Sequence, residues 1–245
     1  MKNSHDLLLQ RRSQGKKSLA VLIDPDKTQK LTELLQVAKI SAPDFFLVGG
    51  SFLSEGDLES CIRQIRSASE IPILLFPGNA AQISPLADSL LLLSVISGRN
   101  PDLLIGHHVA AAPLIRESGL EILPTGYMLI ESGAVTTVNY VSNTQPIPRD
   151  KNSIAACTAM AGEQLGMKLI YLEAGSGAKL PVPIEMVETV RASISIPLIV
   201  GGGLRTQSDI VARCAAGADV IVVGNILEET PGLLSEFAKA VHSFQ

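Results

Sequence analysis

Tryptophan is absent from the 245 residues, and the aromatic share is only 4%. A hydrophobic share of 46% therefore comes mainly from Leu, Ile, Val and Ala. That is the habit of parallel α/β proteins, whose strands are buried on both faces and read as short aliphatic runs. Cysteine is scarce too: Cys61, Cys157 and Cys214 stand apart, without a CxxC pair or a histidine spacing. This argues against a disulfide framework or a thiolate zinc site, and leaves reduced thiols packed on helices in a cytoplasmic protein. A formal net charge of −4 supplies no basic stripe, which excludes nucleic acid as a general partner. The longest nearly apolar run, residues 86–96, contains Asp88 and Ser89 and is too short to span a bilayer. Residues 1–17, MKNSHDLLLQRRSQGKK, lack the apolar stretch and cleavage site of a secretory signal. They read as an N-terminal helix or arm.

What is present is a rhythm. Buried strands are expected at Ser18–Asp24, Phe45–Gly50, Ile71–Phe76 and Leu90–Val95. A fifth opens at Leu120–Pro124 and resumes through Met128–Glu131, and the last three fall at Lys168–Glu173, Ile196–Gly201 and Asp219–Gly224. Helical patterns lie between most of them, as in Leu58–Ala68, where Leu58, Ile62 and Ile65 share one face. A closing helix is expected over Leu233–Phe244. Eight strands alternating with helices fit a (β/α)8 TIM barrel better than an open sheet. No linker or low-complexity stretch divides the chain, so residues 1–245 read as one domain. Two places break the pattern. GNAAQISPLADS, after the third strand, leaves little room for a helix, so the third helix is expected to be missing. Between Glu131 and Lys168 a polar loop, VSNTQPIPRD, precedes a helix of Ala, Cys and Met and is expected to lie over the active face.

In such a barrel the chemistry sits at the C-terminal strand ends. The sixth strand ends in YLEAGSG, a carboxylate, Glu173, beside a loop of small residues. An acid there can move a proton, and close-approaching backbone N–H groups can hold a phosphate. The seventh and eighth strands end in Gly201-Gly202-Gly203 and Gly224-Asn225, each leading to a helix start, with Thr206 placed to cap one. Glycines at these two successive positions form the phosphate site of many barrels. Across the mouth, Asp24, Asp26 and Ser51 offer hard oxygen ligands suited to Mg²⁺. Asp24 is the better metal candidate, because Asp26 also reads as a helix N-cap. Adjacent His107 and His108 point apart on a helix and read as surface or packing residues. The residues alone thus reach a phosphate site, an acid and a metal. That combination also admits a sugar-phosphate isomerase or synthase, or a non-catalytic phosphometabolite-binding protein.

Taken together and in order, LIDPDK, VGGS, PTGYMLIESG, YLEAGSG, the triple glycine and VVGN resemble the geranylgeranylglyceryl phosphate synthase family, from about Leu19 to Asn225. The resemblance implies a modified (β/α)8 barrel without its third helix. It implies a prenyltransferase joining the C3 hydroxyl of sn-glycerol 1-phosphate to a polyprenyl diphosphate, geranylgeranyl above all, with Mg²⁺ and release of pyrophosphate. Carried over by motif, Tyr171, Leu172, Glu173, Ala174, Gly175, Ser176 and Gly177 would hold glycerol 1-phosphate together with Gly202, Gly203, Gly224 and Asn225. Asp24 and Ser51 would hold Mg²⁺. Glu173 would take the hydroxyl proton and Tyr171 would help place the substrate. The prenyl chain would lie in an apolar trough over strands three to five and the gap left by the missing helix. The family further implies a homo-oligomer, and the lipid product implies transient contact with a membrane surface.

The chain departs from one branch of that family. A lysine two positions before the metal aspartate is replaced by Leu22, and the tyrosine after strand five is followed by MLIESG. LIDPDK and YLEAGSG match the other branch, which has archaeal and bacterial members. Lys27, Arg99 and Arg205 are the candidates to replace the missing contact.

Overall fold

The structure, a computed structural model, describes residues 3–79 and 82–244. The aliphatic runs form eight parallel strands that close into a barrel in chain order. They are β1 (Ser18–Ile23), β2 (Phe45–Gly50), β3 (Ile73–Pro77), β4 (Ser89–Val95), β5 (Glu121–Leu129), β6 (Leu169–Glu173), β7 (Leu198–Gly201) and β8 (Val220–Val223). Closure is made by β1 pairing with β8, with Ser18 opposite Val220. Successive side chains alternate between two cores, as strand geometry requires. In β6, Leu169 and Tyr171 point into the barrel, while Ile170 and Leu172 join the layer under the helices. Each aliphatic side chain buried this way contributes about 1.5–3 kcal/mol, and the two layers together make the core.

The helices are α1 (Ser4–Ser13), α2 (Leu31–Ser41), α3 (Leu58–Ala68), α4 (His107–Ser118), α5 (Thr137–Ser142), α6 (Asn152–Gln164), α7 (Ile184–Ser193), α8 (Gln207–Ala215), α9 (Asn225–Glu229) and α10 (Leu234–His242). The N-terminal segment is a helix rather than an arm. Asn3 caps α1 by accepting from the N–H groups of His5 and Asp6 at 3.1 and 3.2 Å. Glu121 accepts from Ser4 N at 2.7 Å, and Leu8 enters the interior core. So α1 seals the N-terminal end of the barrel and leaves the other end for the site.

Between β3 and β4 none of the described residues is in an α-helix, in line with the expected missing third helix. Gln82 fills part of the space, accepting at Oε1 from Gly78 N at 3.2 Å. An apolar groove of about 600 Å³ runs beside α4, lined by Leu92, Val109, Ile115 and Ile122.

Several expectations are corrected. The fifth strand does not pause at Thr125–Tyr127 but runs without a break, because the Thr125 hydroxyl donates to Leu123 O at 2.8 Å and so tolerates full burial. Thr125 and Gly126 are therefore mid-strand, not at its end. Asp26 caps no helix, since α2 starts only at Leu31. Its carboxylate instead accepts from Ser54 N, Ser54 Oγ, Glu55 N and Gly56 N, which fixes the β2–α3 loop and holds its pKa down near 2, chiefly through Ser54. The expected polar loop begins inside α5, whose Thr136–Asn139 pair closes its first turn. Cys61 and Cys214 are buried on helices, but Cys157 is exposed on α6.

Candidate active site

The C-terminal strand ends enclose a cavity of about 590 Å³. Its floor is aromatic: Phe76, Tyr127 and Tyr171 lie with ring centroids 5.3–5.9 Å apart. These three rings come from β3, β5 and β6 at interior positions of the alternation, so the barrel itself aims them at the mouth.

Glu173, the last residue of β6, stands above that floor and is only 4% exposed. Burial pushes its pKa up to about 7, against the lowering effect of a hydrogen bond from Gly175 N, at 2.6 Å, and of the nearby Tyr171 hydroxyl. A carboxylate poised there exchanges a proton at neutral pH, which is what a general base needs. Tyr171 Oη faces this acid without a well-aligned acceptor of its own. Burial and Glu173 raise the pKa of both Tyr171 and Tyr127 well above the ordinary value, so both phenols stay neutral.

Around the acid the chain turns on glycine. Gly175, Gly177, Gly202 and Gly203 have φ of +97°, +78°, +80° and +70°, a region that other residues adopt only with strain. Gly177, Gly202, Gly203 and Gly224 line the cavity with Ser176 and Asn225. The Ser176 hydroxyl donates to Asn225 Oδ1 at 3.0 Å, which ties the turn after β6 to that after β8. Thr206 caps α8 as expected, accepting from Asp209 N at 3.1 Å. Helix starts leave backbone N–H groups without intrahelical partners, and here α8 and α9 begin beside the same turns. The arrangement suits a small phosphorylated molecule with a hydroxyl near Glu173.

On the opposite wall are Asp24 and Ser51. Asp24 Oδ1 accepts from Asp26 N at 3.1 Å and Oδ2 meets Lys27 Nζ at 3.2 Å. Lys27 also reaches Glu228 at 3.4 Å. Burial works against the lysine's charge, but Glu228 and Asp24 outweigh it and raise its pKa. Among the described residues no group of three or more His, Cys, Asp or Glu could hold a metal ion. The Asp24 carboxylate and Ser51 both line the cavity, and this donor set would fit Mg²⁺, which keeps most of its waters and takes substrate phosphate oxygens, once Lys27 yields Asp24 Oδ2.

A second, apolar cavity adjoins the first along the ends of β3, β4 and β5, where a trough was expected. Pro77, Leu93, Val95, Leu103 and Val141 line it, and Val138 of α5 borders both cavities.

The structure therefore brings Tyr171, Glu173, Gly175, Ser176 and Gly177 into one cavity with Asp24 and Ser51. It does not bring Leu172 or Ala174 there. Leu172 occupies an outward position of β6, and Ala174, though its N–H bonds Gly201 O at 3.1 Å, has its side chain in the same outer core. Of the three basic candidates, Lys27 and Arg205 line the cavity. Arg99 lies in a separate polar crevice and donates to Gly98 O at 2.8 Å. Glu228 and Phe52 were missed, since neither lies in a motif and only closure of the barrel brings them to the mouth.

The PcrB family model matches residues 12–242. A geranylgeranylglyceryl phosphate synthase of Chitinophaga pinensis is 50% identical over 98% of this chain and 96% of its own length. One of Pyrococcus abyssi is 42% identical over 89% of this chain and 87% of its own. Among solved structures, (S)-3-O-geranylgeranylglyceryl phosphate synthase of Thermoplasma acidophilum, in complex with its substrate sn-glycerol-1-phosphate, superposes with a TM-score of 0.91 at 31% identity, covering 99% of this chain and all of that one.

Proposed function

The chain belongs to the PcrB family, and from that premise we propose that it joins the C3 hydroxyl of sn-glycerol 1-phosphate to geranylgeranyl diphosphate. It is a prenyltransferase of the geranylgeranylglyceryl phosphate synthase type. The glycine turns after β6, β7 and β8, with Ser176 and Asn225, hold the acceptor's phosphate. Tyr171 positions the glycerol, and Glu173 accepts the C3 hydroxyl proton as the oxygen attacks C1 of the donor. The C1–O bond to the leaving group breaks with its electron pair on pyrophosphate. Asp24 and Ser51 would hold Mg²⁺, which neutralises the diphosphate when bound. The adjoining apolar cavity receives the start of the prenyl chain. The observation that carries this reading is the buried Glu173, its pKa pushed up to about 7 by burial, in a polar glycine-lined cavity that adjoins an apolar one. Calorimetric titration with sn-glycerol 1-phosphate tests the acceptor half: saturable binding supports it and no binding contradicts it.

The barrel with its N-terminal helix acts as one domain over residues 1–245. Phe52, Tyr140, Val141 and Leu180 are exposed around the mouth and support transient contact with a membrane surface during release of the lipid product. Among the described residues no helix is long and apolar enough to cross a membrane. The groove beside α4, with Ile105 and Val109 exposed, supports a homo-oligomer. Three free cysteines suit a reducing cytoplasm.

A further inference from the structure

Gly50, Ser51, Phe76, Tyr127 and Val138 are the residues that line both the acceptor cavity and the apolar one. Their junction is where the two substrates must meet, since Glu173 lies on one side and the prenyl chain on the other. No charged side chain borders both cavities. Two aromatic ones do. Phe76 lies opposite Gly49 in the β2–β3 register, one strand away from the Gly50-Ser51 turn that also lines both cavities. Tyr127 lies across from it, ring centroid to ring centroid 5.9 Å at a tilt of 58°, and Tyr171 backs both rings.

The geometry points to Phe76 and Tyr127 as catalytic residues whose ring faces stabilise the positive charge that develops on the allylic C1 as its bond to diphosphate breaks. This rests on the prenyl-transfer reading above. In that step the C1–O bond breaks with its electron pair on pyrophosphate. The glycerol C3 oxygen forms the new bond to C1, and its proton passes to Glu173. Positive charge on the allyl fragment exists only between these events. A carboxylate at the junction would be a competing nucleophile and would trap the cation as an ester. A ring face attracts a cation without forming a bond, and more strongly where water is excluded. Phe76 and Tyr127 are 7% and 4% exposed, so the charge would meet them in a largely dry site. The Tyr127 phenol is kept un-ionised by burial and by Glu173, so it meets the cation as a neutral ring rather than as an oxygen nucleophile.

Replacing Phe76 by phenylalanines carrying one, two or three ring fluorines keeps the ring's shape while draining charge from its face. With sn-glycerol 1-phosphate and geranylgeranyl diphosphate, kcat of the full chain is expected to fall stepwise, by about 30-fold across the series. KM for glycerol 1-phosphate and Tm are expected to stay at wild-type values. Cyclohexylalanine at position 76, which fills the space without a ring quadrupole, should lose at least as much. Tyr127→Leu should lose kcat and Tyr127→Phe should recover most of it. A kcat indifferent to fluorine content, or a cyclohexylalanine variant as fast as wild type, overturns the proposal. A wild-type protein that makes no prenylglyceryl phosphate overturns the prenyl-transfer reading, and the proposal with it.

Discussion

A Cβ on Gly202 would stand 2.3 Å from Oε1 of Glu173, so the acid keeps its position only because residue 202 has no side chain. The same Cβ would also press on Gly175 N and Ala174 N, at 2.7 and 2.8 Å. The seventh strand's glycine turn is thus part of the acid's pocket as well as part of the proposed phosphate cradle. Conservative change at this glycine should damage chemistry more than folding.

Gly202→Ala is expected to lower kcat/KM by about 100-fold, through displacement of Glu173 from the attacking hydroxyl. The strained φ adds a stability cost of about 1–2 kcal/mol, read by urea denaturation. A variant with full activity and only the stability loss would separate Gly202 from the acid.

Glu173 sets a pH dependence of defined sign. Its folded pKa is raised to about 7 from 4.5, chiefly by burial. As general base it must be ionised, so kcat/KM should rise through pH 7 and level off above it. For stability the direction is opposite. Below pH 4.5 the acid is protonated whether folded or not; above that, stability falls as pH rises, and the loss is complete beyond pH 7. Glu173→Gln should therefore be more stable than wild type at pH 8.5, by about 3 kcal/mol as an upper figure, and nearly equal to it at pH 4.5. Denaturant melts at the two pH values read the difference.

At Asp24 the expected effect is on metal rather than on the acceptor. Chelation of divalent ions should abolish turnover, and Asp24→Asn should raise the Mg²⁺ needed for half-maximal rate by about tenfold or more. Calorimetric binding of sn-glycerol 1-phosphate should be unchanged in that variant, because the glycine turns proposed to hold the phosphate lie across the cavity.

Leu172 is predicted to matter for packing alone. Leu172→Ala, at a fully buried outward position of β6, should cost about 2–4 kcal/mol. KM for sn-glycerol 1-phosphate should not move.

The Leu172 correction shows how far the sequence could be read. A motif such as YLEAGSG marks a stretch of chain, but a strand sends alternate side chains to opposite faces, so of its three strand residues Tyr171 and Glu173 reach the cavity and Leu172 does not. Eight aliphatic runs at barrel spacing, the short β3–β4 connection and the glycine turns after β6, β7 and β8 were legible because each depends on local pattern. The unbroken β5 was not, since Thr125 is carried through the strand by a hydrogen bond to Leu123 that no pattern announces. Asp26 and Glu228 were misread or missed for a related reason. Their roles come from loops and strand ends that meet only on closure, Asp26 with Ser54–Gly56 and Glu228 with Lys27. Choosing among Lys27, Arg99 and Arg205 likewise needed three dimensions.

Mass spectrometry of the products formed from sn-glycerol 1-phosphate, geranylgeranyl diphosphate and Mg²⁺ tests most directly the claim that Glu173 drives ether formation in this cavity. Wild-type protein should yield geranylgeranylglyceryl phosphate and one pyrophosphate per product, only when both substrates are present, and Glu173→Ala should yield almost none. Wild-type turnover by Glu173→Ala, or turnover of a sugar phosphate with neither metal nor prenyl donor, would contradict it.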